Sequence, residues 1–222
     1  MIKFNLPDKK SRAFQIAKPG YPAIFSCAFI TAVFALLGLV ALTLICLGIT
    51  LFVCFFFRDP QRAIPEGDRL LASPADGKIV FAGQVNGTHF FQGESLKISI
   101  FMSVFNVHVN RVPHDGAVKK IWYFPGKFFS ANLDKASDQN EHNAVFIETP
   151  QGDNICMVQI AGLIARRIIC DISGGDFVKR GDRFGMICFG SRVDLYLPPD
   201  FEPAVKLGDK VRAGESIIGY LK

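Results

Sequence analysis

The chain has 222 residues, half of them apolar, with a net charge of +5 and a mean hydropathy of +0.27, more apolar than an ordinary soluble domain and far from a disordered composition. Its basic residues are scattered rather than clustered with aromatics, which argues against a nucleic-acid partner. Six cysteines (Cys27, Cys46, Cys54, Cys156, Cys170 and Cys188) lie in apolar or strand-like stretches with no C-x-x-C spacing, so no metal and no disulfide framework is expected and free thiols in a reducing compartment suffice.

Residues 1–20 form a basic, mixed leader ending in Pro19-Gly20. From Ala23 to Phe57 run 35 residues without a charge, more than a soluble core or a signal peptide uses, and residues 21–57 are expected to be membrane-embedded. One straight helix of that length would span roughly 52 Å against a hydrocarbon core of about 30 Å. Two tightly turned segments, breaking near Gly38 or Gly48, fit better. Both flanks are basic, with Lys3, Lys9, Lys10, Arg12 and Lys18 before and Arg58, Arg62 and Arg69 after. The positive-inside rule then favours a hairpin over a single span, with both ends in the cytoplasm of a cell whose inner membrane holds it. The positive charge also suits an anionic lipid surface.

Residues 58–68 read as a Pro-rich linker, and 69–222 as one β-rich domain. Short Val-, Ile- and Phe-rich runs such as "KIVFAG", "LKISIFM", "FNVHVNRV", "NAVFIETP", "NICMVQIAG", "RIICDI" and "SRVDLYL" are separated by Gly, Pro, Asp and Asn. This predicts a compact barrel or sandwich. The best helical candidate is a short turn around Ser130–Ala136. Near the C-terminus, "VKRGDRFGMICFG" and "VKLGDKVRAGESIIGYL" both place Gly-Asp after a basic strand end. These half-repeats suggest two similar hairpins packed together, like the hammerhead of biotinyl and lipoyl carrier domains. A carrier needs a modifiable Lys at its hairpin tip, and here the step between the halves carries Gly190-Ser191 instead.

A Gly-Ser step between strands is ordinarily a bulge. It is also the pair that can cut its own chain. The hydroxyl attacks the preceding carbonyl, the acyl group moves from N to O, and elimination leaves a dehydroalanine that loses ammonia to give an N-terminal pyruvoyl group. Such a carbonyl is an electron sink comparable to pyridoxal phosphate.

Five segments decide between these readings: "SPADGKI" (73–79), "ISIFMSVFNVHVNRVPHDG" (98–116), "YFPGKFFSANLDKASDQNEHN" (123–143), "QIAGLIARRI" (159–168) and "RGDRFGMICFGSRVDLYLP". In this order they resemble the phosphatidylserine decarboxylase proenzymes, in their short form, over roughly residues 55–222. The resemblance implies self-cleavage between Gly190 and Ser191 into a larger β chain (1–190) and a small α chain (191–222), which stay together as a heterodimer. Ser191 would become the pyruvoyl cofactor and form a Schiff base with the serine amine of phosphatidylserine. Decarboxylation at the membrane surface would then yield phosphatidylethanolamine, with no metal required. Phe189 stands where the family more often has Leu.

The resemblance further implies that Asp76 supports a charge relay to the attacking serine, although an Asp between Pro74 and Gly77 is by itself a common turn residue. His108 matches the first His of the family's paired-His motif. The second His, the one usually given the relay role, is replaced by Arg111. The base is therefore expected at His108, the alternatives being another His such as His142 in "NEHN" or a short form that works without a histidine base. Arg111, His142 and Asn143 are candidate substrate ligands, Arg111 through bidentate binding of phosphate or carboxylate. Asn106 and Asn110 are weaker candidates, His89 and His114 weaker still. Phe91, Phe128 and Phe129 could line a lipid entry groove, with 126–132 an amphipathic loop. Two rival functions stay open on sequence: a pyruvoyl decarboxylase for another amino head group, and a non-enzymatic membrane-anchored β adaptor. Self-association is left open.

Overall fold

The structure is a computed structural model, and it describes residues 15–88, 90–91, 93–126, 140–162, 167–188 and 191–222. The chain divides into two compact units, the first ending at Gln61 and the second beginning at Arg62.

In the first unit, a short 3-10 turn at Lys18–Gly20 leads into α1 (Tyr21–Leu36), and α2 (Val40–Phe56) follows. The break falls at Gly38, at φ 73°, whereas Gly48 lies inside α2. The helices face each other, with the Thr31 and Thr50 hydroxyls 3.1 Å apart. The entering and leaving chains are also joined. The Ala17 N–H donates to the Phe57 carbonyl at 2.8 Å and the Asp59 N–H to the Gln15 carbonyl at 2.7 Å. The two ends of the hairpin therefore lie side by side. Large apolar side chains stand outward, among them Phe25, Phe29, Leu44 and Leu51. Lys18–Leu36 is long and apolar enough to cross a bilayer.

The second unit is mainly β. Its strands are β1 (Leu70–Ala72), β2 (Gly77–Asn86), β3 (Glu94–Met102), β4 (Val109–Arg111), β5 (Gly116–Phe124), β6 (His142–Glu148), β7 (Asn154–Ala161), β8 (Ile168–Cys170), β9 (Phe177–Val178), β10 (Arg183–Ile187), β11 (Ser191–Leu197), β12 (Glu202–Pro203), β13 (Lys210–Val211) and β14 (Ile217–Tyr220). Eight of them form a curled, half-barrel sheet in the order β13-β2-β3-β11-β7-β6-β5-β9. Two three-stranded sheets, β4-β10-β8 and β1-β14-β12, complete the unit. Strand alternation sorts the large sheet into two faces. Ile98, Ile100, Met102, Val145, Ile147, Met157, Val193, Leu195 and Leu197 join the main core on the inner face. Ala144, Cys156, Val158, Ile160 and Tyr196 form a second cluster on the other. A strand packed on both faces is apolar at nearly every position, and β11, central between β3 and β7, is buried throughout.

The repeated Gly-Asp grammar corresponds to a repeated turn. The Lys179 N–H donates to Asp182 Oδ2 at 2.8 Å, and the Lys206 N–H to Asp209 Oδ2 at 2.9 Å. Gly181 and Gly208 take the same left-handed conformation, φ 86° and 96°, which a side chain disfavours. The flanking strands do not pair with each other as simple hairpins. β9 pairs with β5, β10 with β4 and β8, β13 with β2, and β14 with β1 and β12, so each turn carries the chain from one sheet to another.

Candidate active site

Ser191 opens β11 and pairs with Met102 on β3 and Ala161 on β7. Its parity with Val193 and Leu195 turns its side chain to the inner face. The residue is fully buried, and its Oγ has no hydrogen-bond partner among the described residues. A buried hydroxyl left without a partner is uncommon and calls for a functional account. Gly190, the other half of the step, lies outside the described residues, as do Phe189, Phe128, Phe129, His89 and the turn expected around Ser130–Ala136.

His108 precedes β4, and its carbonyl accepts from the Ile187 N–H at 3.4 Å, four residues before Ser191. The ring is fully buried, with Nδ1 3.0 Å from the Asn106 carbonyl. That carbonyl can only accept, so Nδ1 carries the proton and Nε2 the basic lone pair. Asn106 is a turn cap, its Oδ1 accepting from the Ser103 N–H and Oγ at 2.9 and 2.8 Å.

Asp76 occupies the turn before β2. Arg62 donates to both its carboxylate oxygens, at 2.9 and 2.8 Å, and the Ala213 N–H donates to Oδ1 at 2.7 Å. Next to it, Gly77 is packed so closely on β3 that a Cβ would stand 2.2 Å from the Phe101 carbonyl oxygen. Since β2, β3 and β11 are neighbours, Asp76 sits at the Ser191 end of the sheet, about 10 Å away across two strand spacings. The same turn meets β4, where the Arg111 N–H donates to the Pro74 carbonyl at 2.9 Å. Arg111 is itself buried, with Nη1 donating to the Gly181 carbonyl at 2.8 Å.

His142 and Asn143 begin β6 and diverge. His142 pairs with Ile160, itself opposite Arg192, so its ring lies on the outer face. There it stacks on Phe124 with centroids 4.6 Å apart and meets Phe90 edge-on at 5.8 Å. Residues Ile121–Phe124 line an open cleft of about 320 Å³. Asn143 lies on the inner face with Ser191, buried, its Nδ2 donating to Gln159 Oε1 at 3.0 Å. His114 is tied to the carbonyls of Asp115 and Asp68, both at 2.9 Å.

Two features escape sequence reading. Gln159, fully buried inside the "QIAG" strand end, bridges Asn143 to Asn110, whose Oδ1 it meets at 2.9 Å. On the outer face, Asp194 is fully buried and held by Arg192 of the same strand at 2.8 Å and by Lys97 of β3 at 3.1 Å. The "SRVDLYL" alternation hints at Asp194, since a charge at every second position of an otherwise apolar central strand needs a partner. Nothing local marks Gln159. Burial raises the Cys188 thiol, with a smaller opposing effect from Arg167, so no thiolate competes with Ser191 at neutral pH. No cluster of metal-ligating side chains occurs among the described residues.

The family model for phosphatidylserine decarboxylase matches residues 49–219. A phosphatidylserine decarboxylase proenzyme of Syntrophus aciditrophicus is 50% identical over 206 residues, covering 92% of this chain and 96% of that protein. Its namesake in Desulfotalea psychrophila is 50% identical over 206 residues, 93% of this chain and 96% of the relative. One in Pelobacter propionicus is 46% identical over 219 residues, 96% and 99%.

Proposed function

The chain belongs to the phosphatidylserine decarboxylase family, and from that premise we propose that it is a self-processing enzyme that converts phosphatidylserine to phosphatidylethanolamine at a membrane. The observation that carries the self-processing part is the buried Oγ of Ser191, without a partner among the described residues, at the start of a central strand. A hydroxyl there has no solvent shell to shed before attacking the Gly190 carbonyl. His108, with its lone pair on Nε2, takes the hydroxyl proton and returns it to the departing amide nitrogen. Asp76 supplies the anionic support for the imidazolium that forms, its charge balanced in the resting chain by Arg62. Acyl transfer to Oγ and elimination leave a dehydroalanine, whose imine tautomer takes up one water and releases ammonia to give a pyruvoyl group at the start of residues 191–222.

That group supplies the electron sink for loss of carbon dioxide. The chain's residues do the rest. β11, paired on both edges, holds the new terminus in place after the cut. Its neighbours Met102 and Ala161 and the surrounding core exclude water. His108 holds the proton for the substrate carbon. Arg111 and Asn143 stand at the same end of the fold as ligands for the anionic head group. The outer-face aromatics Phe124, Trp122 and Phe90, with His142 among them, offer apolar surface to acyl chains. The hairpin α1–α2, apolar outside and joined at its base, keeps the enzyme in the cytoplasmic face of the membrane that holds its substrate.

Intact mass spectrometry of the purified protein with phosphatidylserine vesicles tests this. The expected result is two chains, the smaller being residues 191–222 with a pyruvoyl group in place of Ser191, and release of phosphatidylethanolamine and carbon dioxide. A chain of full mass that persists with detergent and lipid present overturns it. A cut chain inert toward phosphatidylserine leaves self-processing standing and overturns the substrate.

A further inference from the structure

The buried amides of Asn143, Gln159 and Asn110 form a chain with a direction. Gln159 Nε2 lies 3.3 Å from the Ile169 carbonyl, which can only accept, so that end of Gln159 is the NH2 group. The same nitrogen donates to Asn110 Oδ1 at 2.9 Å, and Gln159 Oε1 takes the Asn143 Nδ2 donor at 3.0 Å. Asn110 thus has its oxygen committed and its NH2 group turned the other way. What that NH2 meets is the Met102 thioether, at 3.8 Å, a weak acceptor. Met102 is the cross-strand partner of Ser191, and their side chains share the inner face, where directly opposed Cβ atoms stand about 5 Å apart. All three amides are buried, Gln159 and Asn110 completely. A directed donor spending itself on sulfur therefore lies beside a buried oxygen that has no donor among the described residues.

We propose that Asn110 is the hydrogen-bond donor that stabilises Ser191 Oγ as the leaving oxygen when the chain is cut. This rests on the self-processing reading. After acyl transfer, Oγ is the bridging oxygen of a Gly190–Ser191 ester. In the elimination a base, assigned above to His108, takes the Ser191 Cα proton. The Cα–H electron pair becomes the Cα=Cβ bond, the Cβ–Oγ bond breaks, and its pair stays on Oγ, now part of the Gly190 carboxylate. Negative charge thus grows on the one atom that the Asn110 N–H can reach by giving up the thioether. Gln159 and Asn143 are positioning residues that keep the NH2 end of Asn110 pointed there. The Ser191 hydroxyl attack makes no such demand, so the two stages separate.

The test follows freshly synthesised full-length precursor of Asn110→Ala and Asn110→Asp by intact mass, with and without hydroxylamine. Losing one such donor is worth about 100-fold in rate. Both variants should therefore cut about 100-fold more slowly and hold the ester, and hydroxylamine should split them into a Gly190 hydroxamate and a 191–222 fragment that still begins with Ser. Cutting at the wild-type rate overturns the assignment. So does a folded precursor that hydroxylamine leaves whole, because the block then precedes the ester. Asn110→Asp keeps the side-chain shape and decides the matter if Asn110→Ala unfolds. Wild-type chain that never cuts overturns the self-processing reading, and this assignment with it.

Discussion

Arg62 grips both carboxylate oxygens of Asp76, at 2.8 and 2.9 Å, with both side chains almost entirely out of water. Arg62 also reaches Glu215 at 3.1 Å, whereas Asp76 has, among the described residues, only the Ala213 N–H besides. The two partners are therefore unequal. Arg62→Ala strands a buried carboxylate, a loss of about 3–5 kcal/mol for this kind of pair. Asp76→Asn keeps the Ala213 hydrogen bond and leaves Arg62 its second carboxylate, so it should cost clearly less. Thermal unfolding of the two variants checks the order, and equal losses would show that Glu215 contributes nothing to holding Arg62.

Gly185 tests the amide chain from the packing side. A Cβ there would stand 2.1 Å from the Ile169 carbonyl oxygen and 3.0 Å from Gln159 Nε2. The carbonyl is main chain of β8, paired with β10 at this point, and cannot step aside. Gly185→Ala should lose at least the 1–3 kcal/mol typical of overpacking and displace the Gln159 amide. Expected are a lower denaturant midpoint and slower chain cutting together. A midpoint within error of wild type would mean that β8 moves freely.

The thiols set an upper pH limit on stability. Burial raises Cys156 well above the ordinary value of 9.0, with a further contribution from the Asp194 charge. It also raises Cys170 and Cys188. A raised folded-state pKa means the unfolded chain gives up its proton first. The stability is then intact below the ordinary thiol value and declines as pH climbs from there through the folded-state value. Other groups titrate there too, so the comparison is with Cys156→Ala. Between pH 8 and 10, the wild type should lose more melting temperature than the variant, and parallel curves would refute the assignment to Cys156.

The fold class was legible because short β-branched runs between turn residues leave few alternatives. Even the Gly-Asp half-repeat proved to be one turn built twice, at Asp182 and Asp209. The sheet partners were not legible. β9, β10, β13 and β14 are short, and their pairing depends on which sheet the chain has crossed to. His108 falls in the strand-like run "FNVHVNRV", yet it stands just before β4 and is fully buried, which nothing in the run itself signals. His142 and Asn143, adjacent in sequence, fall on opposite faces, a consequence of the two-residue period once β6 is known to be a strand. Gln159 could not have been found at all, since its partners on β4 and β6 lie 49 and 16 residues away.

The base of the hairpin gives a topological prediction. Gln61 Nε2 donates to Gln15 Oε1 at 2.9 Å, and both residues sit at the ends of the chain that enters and leaves α1–α2. A hairpin in a bilayer puts the two on one side, and a single long span puts them on opposite sides. Cysteines placed by Gln15→Cys and Gln61→Cys, one at a time, are exposed enough to react with a maleimide that cannot cross membranes. The native thiols outside the bilayer are dulled by burial, so the new signal stands above them. With the basic flanks inside, both variants should stay unlabelled in intact cells and both should label in inverted vesicles. One labelled from each side would replace the hairpin by a span. Labelling of both from outside would keep the hairpin and reverse its orientation, placing the β unit on the wrong side of the membrane for the function proposed.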